Sequence, residues 1–302
     1  MTGQILSAFW PVFAVIAAGY AVRASGYLPR AFWRGVNAVN HRLLLPAFLF
    51  ALLAGADLSH PGAARIALAS AAASLVLLTL GLLTASRLRR VAGAAVTAVA
   101  VQWNFVLTLA LVQRLAGPDA LGLAAAAVAP GVLIGAAITV TAFARADGTA
   151  LTGALKRMAR DPLVLAGLAG LTANMAGLGA APAIFTPLEM IGAGALPVIL
   201  LAMGAGLDFP ALKGRSAPLA GGAILRCLAG PAVSLSAAAA FGLGGDGALI
   251  LAIAGAAPSA AFVYAVAADF DVETGLTAGL ITLTVLLSAA ISPLAAAIAL
   301  SL

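Results

Sequence analysis

Ten apolar runs, most of them close to twenty residues long, follow one another along the 302-residue chain with only short connections between them. They cover residues 5–22, 31–54, 63–83, 91–115, 121–144, 162–178, 184–207, 217–240, 248–268 and 275–299. Runs of that length match the ~20 residues a helix needs to cross a hydrocarbon core of about 30 Å. Barrel strands are about half as long, and lipid offers an unpaired backbone no partner, so the spans are read as helices. Charged residues make up 9 % of the chain, against about 25 % in a soluble domain. The expected fold class is an all-α membrane protein of ten transmembrane helices. Residues 1–4 carry no basic segment and no small-residue cleavage site follows the first run, which is read as a span rather than a cleaved leader.

The charges orient this set of spans. A formal net charge of +6 would suggest a nucleic-acid partner for a soluble protein; here none is expected, because the basic residues sit in short loops. With the N-terminus outside, the inner side holds Arg23, Arg30, Arg34, Arg42, Arg87, Arg89, Arg90, Arg145, Lys156, Arg157, Arg160, Lys213 and Arg215, thirteen of the 16 Lys and Arg. The outer loops hold Arg65 and Arg114, and Arg226 lies within a span. Cytoplasmic loops are the ones enriched in Lys and Arg, so both termini are predicted to be periplasmic or extracellular, in a multi-pass cell (inner) membrane protein. The longest connection, residues 145–161, is read as a cytoplasmic loop with room for a short interfacial helix.

The two halves of the chain repeat. Pro11 and Pro162 are 151 residues apart, as are Gly19 and Gly170, Gly26 and Gly177, Pro46 and Pro197, and Asp57 and Asp208. Leu45-Pro46-Ala47-Phe48-Leu49 matches Leu196-Pro197-Val198-Ile199-Leu200. Residues 1–144 and 162–302 therefore form two five-span repeats. Five is odd, so the second repeat inserts upside down relative to the first, the inverted-topology arrangement of many secondary transporters. Later the offset drifts to 153, as between Gly122-Leu123 and Gly275-Leu276. From Asn104 that offset points to residue 257, beside Pro258.

These two places are also where the spans are interrupted. The ninth span reads Gly255-Ala256-Ala257-Pro258-Ser259 at its middle. Pro258 has no N–H to donate and clashes with the carbonyl four residues back, so a helix breaks or kinks there. The fourth span reads Gln102-Trp103-Asn104 at its middle, without a proline. Broken helices at membrane depth are tolerated where they line a cavity or are buried in protein, and their half-helix ends often build a solute or ion site. The two interruptions are read as two halves of one site. Asn104 either hydrogen-bonds a solute or ties two helices together; Gln102, two residues away, points to a different face. Gly255, Ala257, Pro258 and Ser259 supply small volume and freed backbone groups. Tyr264 is either a cavity-lining hydroxyl or an interface anchor. Arg226 is a candidate counter-charge for an anion, but its place near the start of the eighth span favours snorkelling to the inner surface. No carboxylate lies in the middle of a span, His41 reads as an interface residue, and the lone Cys227 as a small core residue. No metal and no cofactor are expected. Gly131-x-x-x-Gly135 and Gly275-x-x-x-Gly279 are candidate close-packing faces.

Taken in order, Gly19-Tyr20 before a basic turn, Asn37 and Asn40 before Leu45-Pro46, Asn104 in the fourth span, and Ala257-Pro258-Ser259 in the ninth resemble the auxin efflux carrier family over nearly the whole chain. The resemblance implies a five-plus-five fold in which spans four and nine cross as an X. It also implies a scaffold of spans one, two, six and seven, through which a homodimer would form, and a moving part of spans three to five and eight to ten. It points to transport or export of a small carboxylate, such as a dicarboxylate or an auxin-like acid.

The leading functional expectation is thus a secondary transporter of a small organic anion, working by an elevator-type or rocking motion. Half-helix N-termini at the crossing carry partial positive charge suited to a carboxylate. The alternative is a sodium-coupled symporter of the related bile-acid-symporter fold, which needs more oxygen ligands around the crossing than Gln102, Asn104 and Ser259 supply. An intramembrane enzyme is not expected: there is no Gly-x-Ser-x-Gly and no mid-span His or Asp pair.

Overall fold

A computed structural model describes residues 2–178, 182–272 and 274–301. Among these the protein is helical, and the one β-type pairing is a single bridge between Trp103 and Ser259. The helices are α1 (Thr2–Ala24), α2 (Arg30–Val39), α3 (Leu45–Ala54), α4 (Ala63–Ala85), α5 (Arg90–Val101), α6 (Phe105–Ala116), α7 (Asp119–Asp147), α8 (Leu151–Met158), α9 (Pro162–Met175), α10 (Pro182–Ala193), α11 (Ala195–Ala205), α12 (Ser216–Ala223), α13 (Gly230–Ala240), α14 (Gly245–Ala256), α15 (Phe262–Asp269) and α16 (Thr274–Ala299). Continuous helix long and apolar enough to cross a membrane occurs at seven places among the described residues. They are α1, α2–α3, α4, α7, α10–α11, α12–α13 and α16. The remaining three apolar runs are shorter. The fourth divides into α5 and α6, the ninth into α14 and α15, and the sixth holds the 14-residue α9. A short helix, α8, occupies part of the central connection.

Local sequence explains the ends and irregularities. Asp161 caps α9, its Oδ1 accepting the N–H groups of Leu163 at 2.9 Å and Val164 at 3.2 Å, with Pro162 in the first turn where no N–H is missed. The same carboxylate lies 3.3 Å from His41 Nε2, so His41 ties the second run to the start of α9. Two π turns, Asn40–Leu44 and Ile224–Ala229, each run up to a proline, Pro46 and Pro231. A proline cannot donate to the carbonyl four residues back, and the residue before each proline bonds five back instead: Leu45 N–H to Asn40 and Gly230 N–H to Leu225.

Helix α1 packs on α11 and α3 on α9, while α4, α5 and α7 pack together and α13 joins α4 to α14. Glycines set the closest approaches. A side chain at Gly19 would collide with the backbone of Leu201, and one at Gly170 with the backbone of Phe50. Half-buried polar groups close the ends of the helices here. Arg23 donates to the carbonyls of Ala205 (2.6 Å) and Leu207 (2.8 Å), and Asn174 to those of Ala54 (3.0 Å) and Ala56 (2.7 Å). Three of the four halves of the broken runs lie deepest: every residue of 93–101, 105–112 and 247–256 is buried. Protein, not lipid, therefore surrounds the interrupted backbone, as its polar groups require.

Candidate functional site

The two interruptions meet. Asn104 N–H donates to the Pro258 carbonyl at 2.9 Å, and Ala260 N–H donates to the Gln102 carbonyl at 3.1 Å. This pair of bonds makes the antiparallel Trp103–Ser259 bridge, and satisfies groups that each helix loses where it stops. The fourth run breaks without a proline because Gln102 and Asn104 both take extended backbone, with ψ of 95° and 93°. Polar side chains there compete with the helix for its own backbone groups. Asn104 does so directly. Its Oδ1 accepts from Leu107 N–H at 3.0 Å, making it the N-cap of α6. Its Nδ2 reaches only the sulfur of Met203 on α11, at 3.8 Å.

The Gly131-x-x-x-Gly135 pair on α7 has a specific job at this break. A Cβ at Gly131 would stand 2.7 Å from the Trp103 indole, and one at Gly135 would collide with Gln102 Oε1. The two glycines give these bulky side chains their room. Gly279 instead lies against the Ala211 backbone, away from the break.

On the other strand, Ala257 leaves the helix in extended conformation, and it and Pro258 are buried. Helix α16 supports this segment: Ser292 Oγ donates to the Ala256 carbonyl at 3.0 Å, and Ser259 N–H donates to Thr284 Oγ1 at 3.3 Å. Gly255 and Gly230 face each other, and a Cβ at Gly255 would stand 2.6 Å from the Gly230 carbonyl oxygen. The small residue at 255 thus serves the α13–α14 contact. Gln102 is 2 % exposed and Ser259 1 %, yet Gln102 Oε1 and Ser259 Oγ have no hydrogen-bond partner in the chain. Unpaired buried polar groups are costly and uncommon, and two of them lie together at this break.

Arg226 corrects the sequence reading. Snorkelling to the surface is ruled out, because the side chain is 0 % exposed. It sits in the second π turn and points to the crossing, where Nη1 donates to the Ala100 carbonyl at 3.0 Å and Nη2 to those of Ala254, at 3.1 Å, and Gly255. Beside it is a cavity of about 10 Å³, lined by Ser70, Ser74, Trp103 and Ser234 among others, room for roughly one water. Tyr264 is not drawn in: it lies on α15 with 43 % of its surface exposed. Four contributors escaped the sequence reading, namely Trp103, Thr284, Ser292 and the burial of Arg226. Only Trp103 had a signal, its place inside the polar triplet.

The site thus brings Gln102, Asn104, Gly255, Ala257, Pro258, Ser259 and Arg226 to one crossing, with α6 against α14 and α15 against α5. Among the described residues no group of three or more His, Cys, Asp or Glu gathers there or elsewhere. No curated protein matches the chain. Residues 149–295, which run from the start of the central connection into α16 and include Arg226 and the second break, match the family of membrane transport proteins. With its apolar spans the chain is a multi-pass membrane protein, and over those residues it is similar to the membrane transport protein family, that of the auxin efflux carriers.

Proposed function

We propose that this protein carries a small organic anion, a carboxylate, by secondary alternating access, with its binding site at the crossing of the two breaks. The observation that carries the reading is the bridged pair of interruptions with the unpaired Ser259 hydroxyl, able to donate, beside it. Half-helices α6 and α15 begin at this bridge. A helix N-terminus carries roughly half a positive charge and N–H groups without intrahelical partners, so the two together suit one carboxylate. The Asn104 amide, held by its cap bond and facing the α11 side, adds a donor that has only a weak sulfur partner.

The architecture behind this reading is ten spans in two inverted repeats. Its support is a set of equivalent contacts. Arg23 bonds residues 205 and 207 while Asn174, 151 further on, bonds residues 54 and 56, each 151 earlier. Gly19 against Leu201 and Gly170 against Phe50 obey the same shift. Spans one, two, six and seven form the scaffold, which also makes any homodimer contact, and the rest form the moving part. The packing of α1 on α11 and α3 on α9, apart from the α4–α5–α7 group, favours that division. Both termini face the periplasm or cell exterior of the inner membrane.

The test is a panel of small mono- and dicarboxylates, neutral solutes and amines offered to the purified protein in proteoliposomes. Uptake or exchange of one or more acids, with the neutral and cationic solutes left behind, is expected. Transport of neutral or cationic solutes with the acids excluded removes the anion reading.

A further inference from the structure

Arg226 is the largest fully buried side chain in the described structure, and no carboxylate among the described residues bonds to it. A lone charge inside a protein is costly unless something offsets it. Here the offset comes from backbone. Its three acceptors, the carbonyls of Ala100, Ala254 and Gly255, all belong to the last turns of α5 and α14. Last-turn carbonyls lack intrahelical donors, and each helix C-terminus carries about half a negative charge. Two such ends match one guanidinium. In carriers built from broken helices, these are the groups that coordinate a sodium ion or proton.

We infer that Arg226 is a tethered cation: its guanidinium takes the position at the crossing that a diffusible coupling cation would otherwise hold. The carrier then binds its substrate with no inorganic cation at this place. The surroundings are fitted to the arrangement. The π turn of residues 224–229 carries Arg226 at the crossing, and Gly230 leaves it space, since a Cβ there would stand 2.8 Å from Nη2. An arginine keeps its proton in proteins, so the cation at this site is permanent. Sodium coupling through these carbonyls is therefore excluded as long as the side chain is in place, which removes the main requirement of the sodium-symporter alternative.

The consequence for coupling rests on the transport reading, but the cation position can be tested without any substrate. Thermal unfolding of the purified protein is measured in sodium, potassium and N-methylglucamine chloride. The wild type is expected to unfold at one temperature in all three. Arg226→Ala is expected to unfold several degrees lower, and millimolar methylguanidinium is expected to raise it saturably while leaving the wild type unmoved. A saturable sodium-specific rise in the wild type overturns the inference, as does an Arg226→Ala protein that folds and ignores methylguanidinium. Should Arg226→Ala not fold, Arg226→Lys and Arg226→Gln decide: the charge-keeping lysine is expected to be the more stable, and a glutamine variant of equal or greater stability contradicts the role. Failure of the carboxylate panel leaves these outcomes intact, and failure here leaves the carboxylate site standing.

Discussion

At the scale of single residues, Asn104 was legible from the sequence as the polar centre of its span, but not in its local role. Its oxygen caps α6 and its amide nitrogen faces Met203, so one side chain serves stability through one atom and has the other to offer. This separates the two roles by substitution. Asn104→Ala loses the cap, at about 1 kcal/mol. Asn104→Ser keeps an oxygen that caps as well as asparagine does, and is expected to unfold within a degree or two of the wild type while losing the amide donor. Thermal unfolding in detergent ranks the three proteins. Arg226 shows the opposite limit of sequence reading. Its helix is apolar all round, so no periodicity tells which face points inward, and the π turn shifts that face further. Burial of this side chain is a property of the assembled crossing rather than of its neighbours in the chain.

At the scale of elements, both breaks were visible, for different reasons. Pro258 announces its own through the missing donor, whereas the break at residues 102–104 is carried by polar side chains and by the partner strand. What no local reading supplies is their union through the Trp103–Ser259 bridge, because neither break contains a strand signal. The glycine pair on α7 was noticed as a packing face; its purpose, room for Trp103 and Gln102, needs the fold. Gly131→Ala and Gly135→Ala are each expected to destabilise the protein by about 1–3 kcal/mol through overpacking and to impair transport by disturbing the break. Gly35, inside α2 with nothing within 4 Å of an added Cβ, is the control. Gly35→Ala is expected to be neutral or stabilising by up to about 1 kcal/mol. Unfolding temperatures of the three variants check this, and a tolerated Gly135→Ala contradicts the packing described.

At the scale of the whole molecule, hydropathy found the helices, since lipid-length apolar runs have few other solutions, and it placed α9 and the broken runs within a few residues. The proposed repeat rests in the sequence on prolines and glycines at one offset. Its physical content is the exchanged pair of contacts made by Arg23 and Asn174, which the sequence hides because the two residues differ in type. The proposed orientation rests on the thirteen basic residues assigned to one side. In a Cys227→Ala background, Ser59→Cys is expected to react with an impermeant thiol reagent added outside, and Ser86→Cys only after the membrane is opened; the reverse pattern inverts the topology. The crossing is the proposed place of the anion, and its most direct measurement is carboxylate affinity in wild type and Asn104→Ser, on whichever acid the panel selects. A buried hydrogen bond to a charged group is worth about 1.5–3 kcal/mol, so Asn104→Ser should bind that acid roughly 10- to 100-fold more weakly while remaining folded. An affinity unchanged from wild type in a folded Asn104→Ser protein would place the anion elsewhere.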